Sequence, residues 1–169
     1  MGLDITAVSS MQFVHGFDSE DHDDDECDGK GYTQVYSMTV FTERLDGIQQ
    51  GYYIFPEEIA KVVNFRAGSY CWYNNWRELL SVLALGVPSQ AVYSNLDQYR
   101  GRPCFELVWM ADNEGAIGPD TSRKLAADFE QLRPSAIERF GHDDGWIGLF
   151  DQWHAAFQLA SQGGVVSFH

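Results

Sequence analysis

Phe65-Arg66-Ala67-Gly68-Ser69-Tyr70-Cys71-Trp72-Tyr73-Asn74-Asn75-Trp76-Arg77-Glu78-Leu79-Leu80 is the densest mixture of aromatics, amides and charge in the chain. From about Tyr70 it reads as a helix. Trp72, Trp76, Leu79, Leu80 and Leu83 recur at i, i+4, i+7, i+8 and i+11, one apolar face at a period of 3.6. A second face carries Tyr70, Tyr73, Asn74 and Arg77 at i, i+3, i+4 and i+7, neighbours on a helix surface that can act together on one object. That face is either an amphipathic rim over the edge of the core or a surface for a ligand or partner. Gly86, followed by Pro88, ends the helix.

Upstream, Leu3, Ile5 and Ala7 alternate with Gly2, Asp4 and Thr6, the period-2 pattern of a half-buried strand over residues 1–8. Residues 9–17 read as irregular. A second strand is expected over 32–42, with Tyr36, Met38 and Val40 on one face. Asp46-Gly47 supplies the positive-φ pair a tight hairpin prefers, and residues 50–55 return as a third strand. Pro56-Glu57-Glu58 suits the first turn of a short helix, leading through Ile59, Val62 and Val63 to the central stretch.

Downstream, residues 89–102 read as a polar loop with one helical turn, and Phe105, Leu107 and Trp109 alternate with Glu106 and Val108 as a fourth strand. Asp112-Asn113-Glu114-Gly115-Ala116-Ile117-Gly118-Pro119-Asp120 is a turn, with Asp120 expected to cap the next helix. Residues 121–132 form that helix on Leu125, Phe129 and Leu132; Pro134 breaks it, and a shorter helix follows through Ile137 and Phe140. A turn at 141–145 contains a capping acid. Trp146, Phe150, Trp153 and Phe157 then mark a strongly helical segment, with His154 at the edge of its stripe. Gly163-Gly164 ends it, and residues 165–168 form a fifth strand. These patterns predict one α+β domain over residues 1–169, a mainly antiparallel sheet of about five strands with three to four packed helices.

The charge is uneven. The formal net charge is −14, and residues 18–28 hold eight of the 25 acids with no base, leaving 17 acids against 11 bases elsewhere. Direct nucleic-acid binding is disfavoured, because phosphate contacts need clusters of Lys and Arg; anionic membranes are disfavoured for the same reason. Residues 18–31 read as an acidic, solvated loop. No EF-hand register fits: counting from Asp21 puts Glu26 at the required Gly and Tyr32 at the closing Glu, and counting from Asp24 puts Val35 at the closing position. The segment can instead face a partner, through Asp21, Asp23, Asp24, Asp25 and Glu26. Cys27, Cys71 and Cys104 are odd in number and form no CxxC pair, so neither a disulfide framework nor a zinc site is expected. No basic segment followed by an apolar core opens the chain, and the longest apolar runs are too short for a bilayer, so the cytoplasm is the expected compartment.

No HExxH, nucleophile elbow or phosphate loop is present, and no catalytic residue, metal ligand or cofactor is assigned. The glycines of residues 112–120 resemble no dinucleotide fingerprint. Glu114 is the one general-base candidate, if it lies beside Arg66 or Arg77. The chemistry points instead to binding: Arg66, Ser69, Tyr70, Tyr73, Asn74 and Arg77 in one cluster, Asn113 and Glu114 in another. Tyrosines stack on rings, arginines pair with phosphate or carboxylate, and Glu114 accepts from hydroxyls or amines.

The Met1-Gly2-Leu3-Asp4-Ile5 start, the Arg66-Ala67-Gly68-Ser69-Tyr70 and Tyr73-Asn74-x-Trp76-Arg77 clusters, and the Asn113-Glu114-Gly115-x-Ile117-Gly118-Pro119 turn resemble a set of uncharacterised phage and prophage proteins. The resemblance implies a genomic setting and no mechanism. Relatives of that set often read Ser-Asp-x-Glu-Gly where this chain has Ala111-Asp112-Asn113-Glu114-Gly115, so no serine role carries over. In a phage setting, an accessory protein that captures a small nucleotide-like host signal is expected from the two polar clusters. The alternative is an acidic inhibitor that covers a basic groove of a host nuclease or other host factor.

Overall fold

The computed structural model describes residues 2–17, 32–38, 43–56, 58–112 and 115–169. Among them are seven strands and six helices in an α+β arrangement. The strands are β1 (Gly2–Val8), β2 (Gln12–His15), β3 (Thr33–Val35), β4 (Gly51–Ile54), β5 (Val62–Ser69), β6 (Ala116–Ile117) and β7 (Val166–Phe168). The helices are α1 (Tyr70–Leu85), α2 (Ser89–Ser94), α3 (Leu96–Tyr99), α4 (Phe105–Val108), α5 (Pro119–Phe140) and α6 (Asp144–Ala160). The strands form two antiparallel sheets, one ordered β5-β1-β7-β6 and one ordered β2-β4-β3. An isolated bridge between Ser37 and Gly115 links their neighbouring edges.

β1 is central because its alternation gives it a fully buried face. Leu3, Ile5 and Ala7 are all at most 1% exposed and join the main core with Trp76, Trp146, Trp153, Phe129, Phe150 and Phe157 from the three long helices. Four rings at helical spacing on α6 supply much of that core. Trp153 alone meets Phe65, Tyr73, Trp76, Phe157 and Phe168 at ring-centroid distances of 5.1–6.3 Å. A smaller second core of Val8, Val35, Leu45, Tyr53, Ala116 and Val165 joins the two sheets.

The segment before α1 differs from expectation. Pro56 starts only a turn, closed by amide bonds from Ile59 and Ala60 to its carbonyl, and Val62 and Val63, expected to follow in a short helix, instead open β5, which runs to Ser69. β5 pairs with the whole of β1, from Gly2↔Ser69 to Val8↔Val62, with one register shift between Leu3 and Asp4. β-Branched Val62 and Val63 favour the strand, and β1 supplies a complete hydrogen-bonding edge. Gly68, at φ +105°, lets the chain swing from β5 into α1; a Cβ there would collide with the Trp72 ring, which folds back over it. Ser69 then caps α1 by accepting from the Trp72 amide at 3.2 Å, and Gly86 closes the helix in the left-handed region.

Four other elements correct the sequence reading. Residues 12–15 are β2, which pairs with β4. Asp46 and Gly47 do adopt positive φ, but β3 and β4 pair from Thr33↔Tyr53 to Val35↔Gly51, so a long connection joins them and not a tight hairpin. Residues 105–108 are α4 and not a strand: Phe105 and Trp109 meet as an i, i+4 pair with ring centroids 5.5 Å apart. A five-residue alternation fits either state, and the tertiary contacts decide it. Pro134 lies inside an unbroken α5. Its missing amide costs one helical bond, and the C-terminal half of the helix is held against α6 by buried Ala136, the Phe140–Trp146 ring contact at 4.1 Å and the Arg133–Asp151 ion pair. No helix among the described residues is long and apolar enough to cross a membrane.

Candidate ligand-binding cleft

The polar face of α1 does act on one object, and the object is a segment of the same chain. Tyr70 hydrogen-bonds the Asp112 side chain. The Tyr73 hydroxyl donates to the Met110 carbonyl at 2.7 Å, and the Arg77 guanidinium donates to the Val108 carbonyl and the Tyr93 hydroxyl. Asn74 steadies Arg77 by accepting from Nη2 at 2.9 Å. Read along α1, these residues clamp positions 112, 110 and 108 in reverse order. Tyr73 is 0% exposed and Arg77 5% exposed, whereas Trp72 and Leu79 of the expected apolar stripe are 42% and 39% exposed. The buried face is therefore rotated by about one residue, because tyrosine and arginine bury their bodies once their polar ends find acceptors.

Of the other expected binding residues, Ser69 and Arg66 are described, and neither joins this clamp. Ser69 is the helix cap. Arg66 lies on β5, 3.6 Å from Asp4, beside a groove of about 410 Å³ between Trp72 and the glycines Gly145 and Gly148 of α6. Asn113 and Glu114 lie outside the described residues, between Asp112, held by Tyr70, and Gly115, which bridges Ser37 and accepts from the Phe168 amide at 3.1 Å. Asp21, Asp23, Asp24, Asp25 and Glu26 also lie outside them. Burial, then the Asp112 hydrogen bond and the fields of Asp112 and Asp4, raise the Tyr70 hydroxyl above its ordinary value, so it stays a donor at neutral pH.

Another opening lies elsewhere. A cavity of about 210 Å³ is lined by Glu43, Arg44, Arg100, Phe105, Glu106, Trp109 and Thr121. Phe105 and Trp109 form an aromatic wall, and the Arg44 guanidinium, on a residue only 3% exposed, lies 4.9 Å from the centre of the Trp109 ring. Arg100 and Glu43 pair across the mouth, both largely exposed. Behind Glu106, Lys124 is gripped by Glu106 at 2.6 Å, Asp128 at 2.9 Å and the Arg102 carbonyl at 2.8 Å. Burial pulls the Lys124 pKa down, but the two carboxylates outweigh it and raise the value, so the ammonium is fixed as a cation. Cys104, buried next to Phe105, adopts a left-handed conformation (φ 55°), its amide donating to Asp128 at 2.8 Å.

The floor depends on a distant turn. Asp46 accepts from the Thr121 amide at 2.8 Å and the Thr121 hydroxyl at 2.7 Å, so Asp46, and not Asp120, serves the first turn of α5. Asp120 instead pairs with exposed Arg123. Gly118 admits this approach: a Cβ there would lie 2.6 Å from the Leu45 carbonyl oxygen and 2.7 Å from the Asp46 carboxylate. None of the cavity residues stands out in the sequence. Glu43 and Arg44 follow a stretch whose pattern suggests a strand, and Phe105 to Trp109 alternate as a strand would; the one local signal is the i, i+4 spacing of Phe105 and Trp109.

Among the described residues no group of three or more His, Cys, Asp or Glu side chains is placed to hold a metal ion. His154 stacks on Phe129 at 6.3 Å and lies 3.5 Å from the Glu130 carboxylate, a position at the edge of the core. Comparison of the chain with protein-family models, with curated proteins and with solved structures gives no match.

Proposed function

We propose that this chain is an accessory binding protein that captures a small nucleotide-like ligand, and that the capture site is the cavity between Arg44, Arg100, Phe105 and Trp109. The observation that carries the reading is the pairing of an aromatic wall with two guanidinium groups in one enclosed space. A ring packs against Phe105 and Trp109, while a phosphate or carboxylate takes the place of Glu43 on Arg100 in a bidentate pair. Lys124, shared between Glu106 and Asp128, offsets part of the negative charge that Glu106 brings to the cavity. The face of α1 then acts as a support, holding residues 108–112 and with them the Trp109 wall.

The test is thermal stabilisation by a panel of mono-, di- and cyclic nucleotides. A ligand at about a hundred times its Kd adds about 2.7 kcal/mol, which for a chain of this size raises Tm by on the order of 5–10 °C. Arg100→Ala, at an exposed site, removes that shift without lowering the Tm of the free protein. A flat panel sinks the reading.

The second reading, an acidic inhibitor acting through Asp21, Asp23, Asp24, Asp25 and Glu26, is favoured by one observation, the eight acids without a base in residues 18–28. A segment of that charge accelerates encounter with a basic groove and weakens with salt. Under it, neutralising the four aspartates abolishes inhibition of a host nuclease and leaves Tm unchanged; inhibition that survives neutralisation refutes it.

A further inference from the structure

The groove beside Arg66 is built differently from the Arg44 cavity. Asp144, Gly145, Gly148 and Gln152 of α6 line one wall, and Trp72 and Arg66 line the other. The four α6 residues recur at i, i+1, i+4 and i+8, so they share one face of the helix. Trp72 is exposed at the corner between β5 and α1. Its indole lies over Gly68 and comes within 3.5 Å of the point where a Cβ on Gly145 would stand. One edge of the ring system is therefore seated, and the rest forms a rim in contact with solvent.

Nothing in the described part of the chain requires glycine at position 148. Glycine inside a helix costs about 1 kcal/mol relative to alanine, and a Cβ built on Gly148 meets no described atom within 4 Å. What the glycine does provide is a recess, three residues along from Gly145, where a ring can settle against the helix backbone. The sequence bordering the groove is also distinctive in charge. In a chain of net charge −14, residues 59–77 contain no Asp or Glu and three bases, Lys61, Arg66 and Arg77. Four large apolar residues of that stretch, Ile59, Val62, Val63 and Trp72, are exposed.

We infer that this groove is a self-docking face, at which a second copy of the chain binds about a two-fold axis. An isologous contact must supply each group and its complement from one surface. This groove holds both halves of two pairs: the Trp72 rim of one copy fills the Gly148 recess of the other, and Arg66 of one copy meets Asp144 of the other, in both directions. Asp4, 3.6 Å from Arg66, occupies only part of a guanidinium that has five donors. Two chains of charge −14 repel at long range, so the contact forms beside the acid-free stretch and is a transient one of micromolar Kd. The face is separate from the Arg44 cavity and independent of what that cavity takes.

Sedimentation velocity of the full chain between about 1 and 100 µM tests this, in about 0.5 M NaCl, where repulsion between copies is screened to on the order of 4 Å. The mass should rise from 19.1 kDa toward twice that value, with a Kd of about 10 µM. Gly148→Gln fills the recess, with open space for its side chain and a better helix former in place of glycine, so the fold is kept. Trp72→Gln removes the rim at an exposed position. Each variant should weaken self-association about tenfold or more, while Arg100→Ala leaves it unchanged. A mass that stays at 19.1 kDa throughout, association that survives undiminished in either variant, or equal weakening by Arg100→Ala overturns the assignment.

Discussion

The carboxylate of Asp46 grips both the amide and the hydroxyl of Thr121, 75 positions away in the chain, at 2.8 and 2.7 Å. Asp46 occupies a turn with φ 55°, and Thr121 the first turn of α5, where a negative charge also meets the positive end of the helix dipole. One side chain thus fastens the edge of the second core to the longest helix.

Asp46→Ala removes this cap and should destabilise the protein by about 1–2 kcal/mol, read from urea unfolding. Asp46→Asn keeps an acceptor and tolerates the left-handed backbone, so it should lose less than half as much. Negligible losses, under about 0.5 kcal/mol, from both variants would show that the cap contributes nothing.

Trp76 is 1% exposed and donates its indole N–H to the Trp146 carbonyl at 3.1 Å, whereas Trp72, four residues earlier on the same helix, is 42% exposed. Trp76→Ala should cost about 3–5 kcal/mol. Trp72→Gln should stay within about 1 kcal/mol, since most of what it covers is the Gly68 corner. Comparable costs in denaturant titrations would mean that α1 is rotated from its observed setting.

Tyr73→Phe leaves the Met110 carbonyl buried without its donor and should cost about 1–3 kcal/mol, while Asn74→Ala, on an exposed residue, should cost under about 1 kcal/mol. Hydrogen exchange offers a second readout. In the Tyr73→Phe protein, protection should fall in residues 108–112 more than in α6, because the clamp acts on that segment.

Stability should fall on the alkaline side through Cys104. Burial first, then the field of Asp128, push its thiol well above the ordinary 9.0. The unfolded chain therefore releases this proton first, and the folded state, holding more protons, loses ground as pH rises past 9. Lys124, also raised, works in the same direction: its contribution is complete below 10.5 and disappears as pH climbs through the folded value. Cys104→Ala should flatten the decline of urea midpoints between pH 9 and 10.5; an unchanged slope would clear the thiol. On the acid side His169, with a lowered pKa, makes stability fall below 6.5, where the unfolded chain takes up the proton first.

What the sequence determined was local. The stripe of Trp146, Phe150, Trp153 and Phe157, a capping acid in the turn at 141–145 (Asp143 in the structure), the stop at Gly86, and the alternation of Leu3, Ile5 and Ala7 each come from periodicity or capping within a few residues, and the structure holds them. Tertiary structure decided everything that depends on a distant partner. Residues 62–69 became strand because β1 offered an edge, 105–108 became helix because their side chains fill the core beneath α1, and Pro134 stayed helical because α6 holds both sides of it. Tyr73 and Arg77 illustrate the limit most directly. By hydropathy they belong on a wet face, and they went inside because the carbonyls of Met110 and Val108, more than thirty residues away, satisfied their polar ends. A buried polar side chain is stable only with its acceptor in place, and no local pattern records where that acceptor will come from.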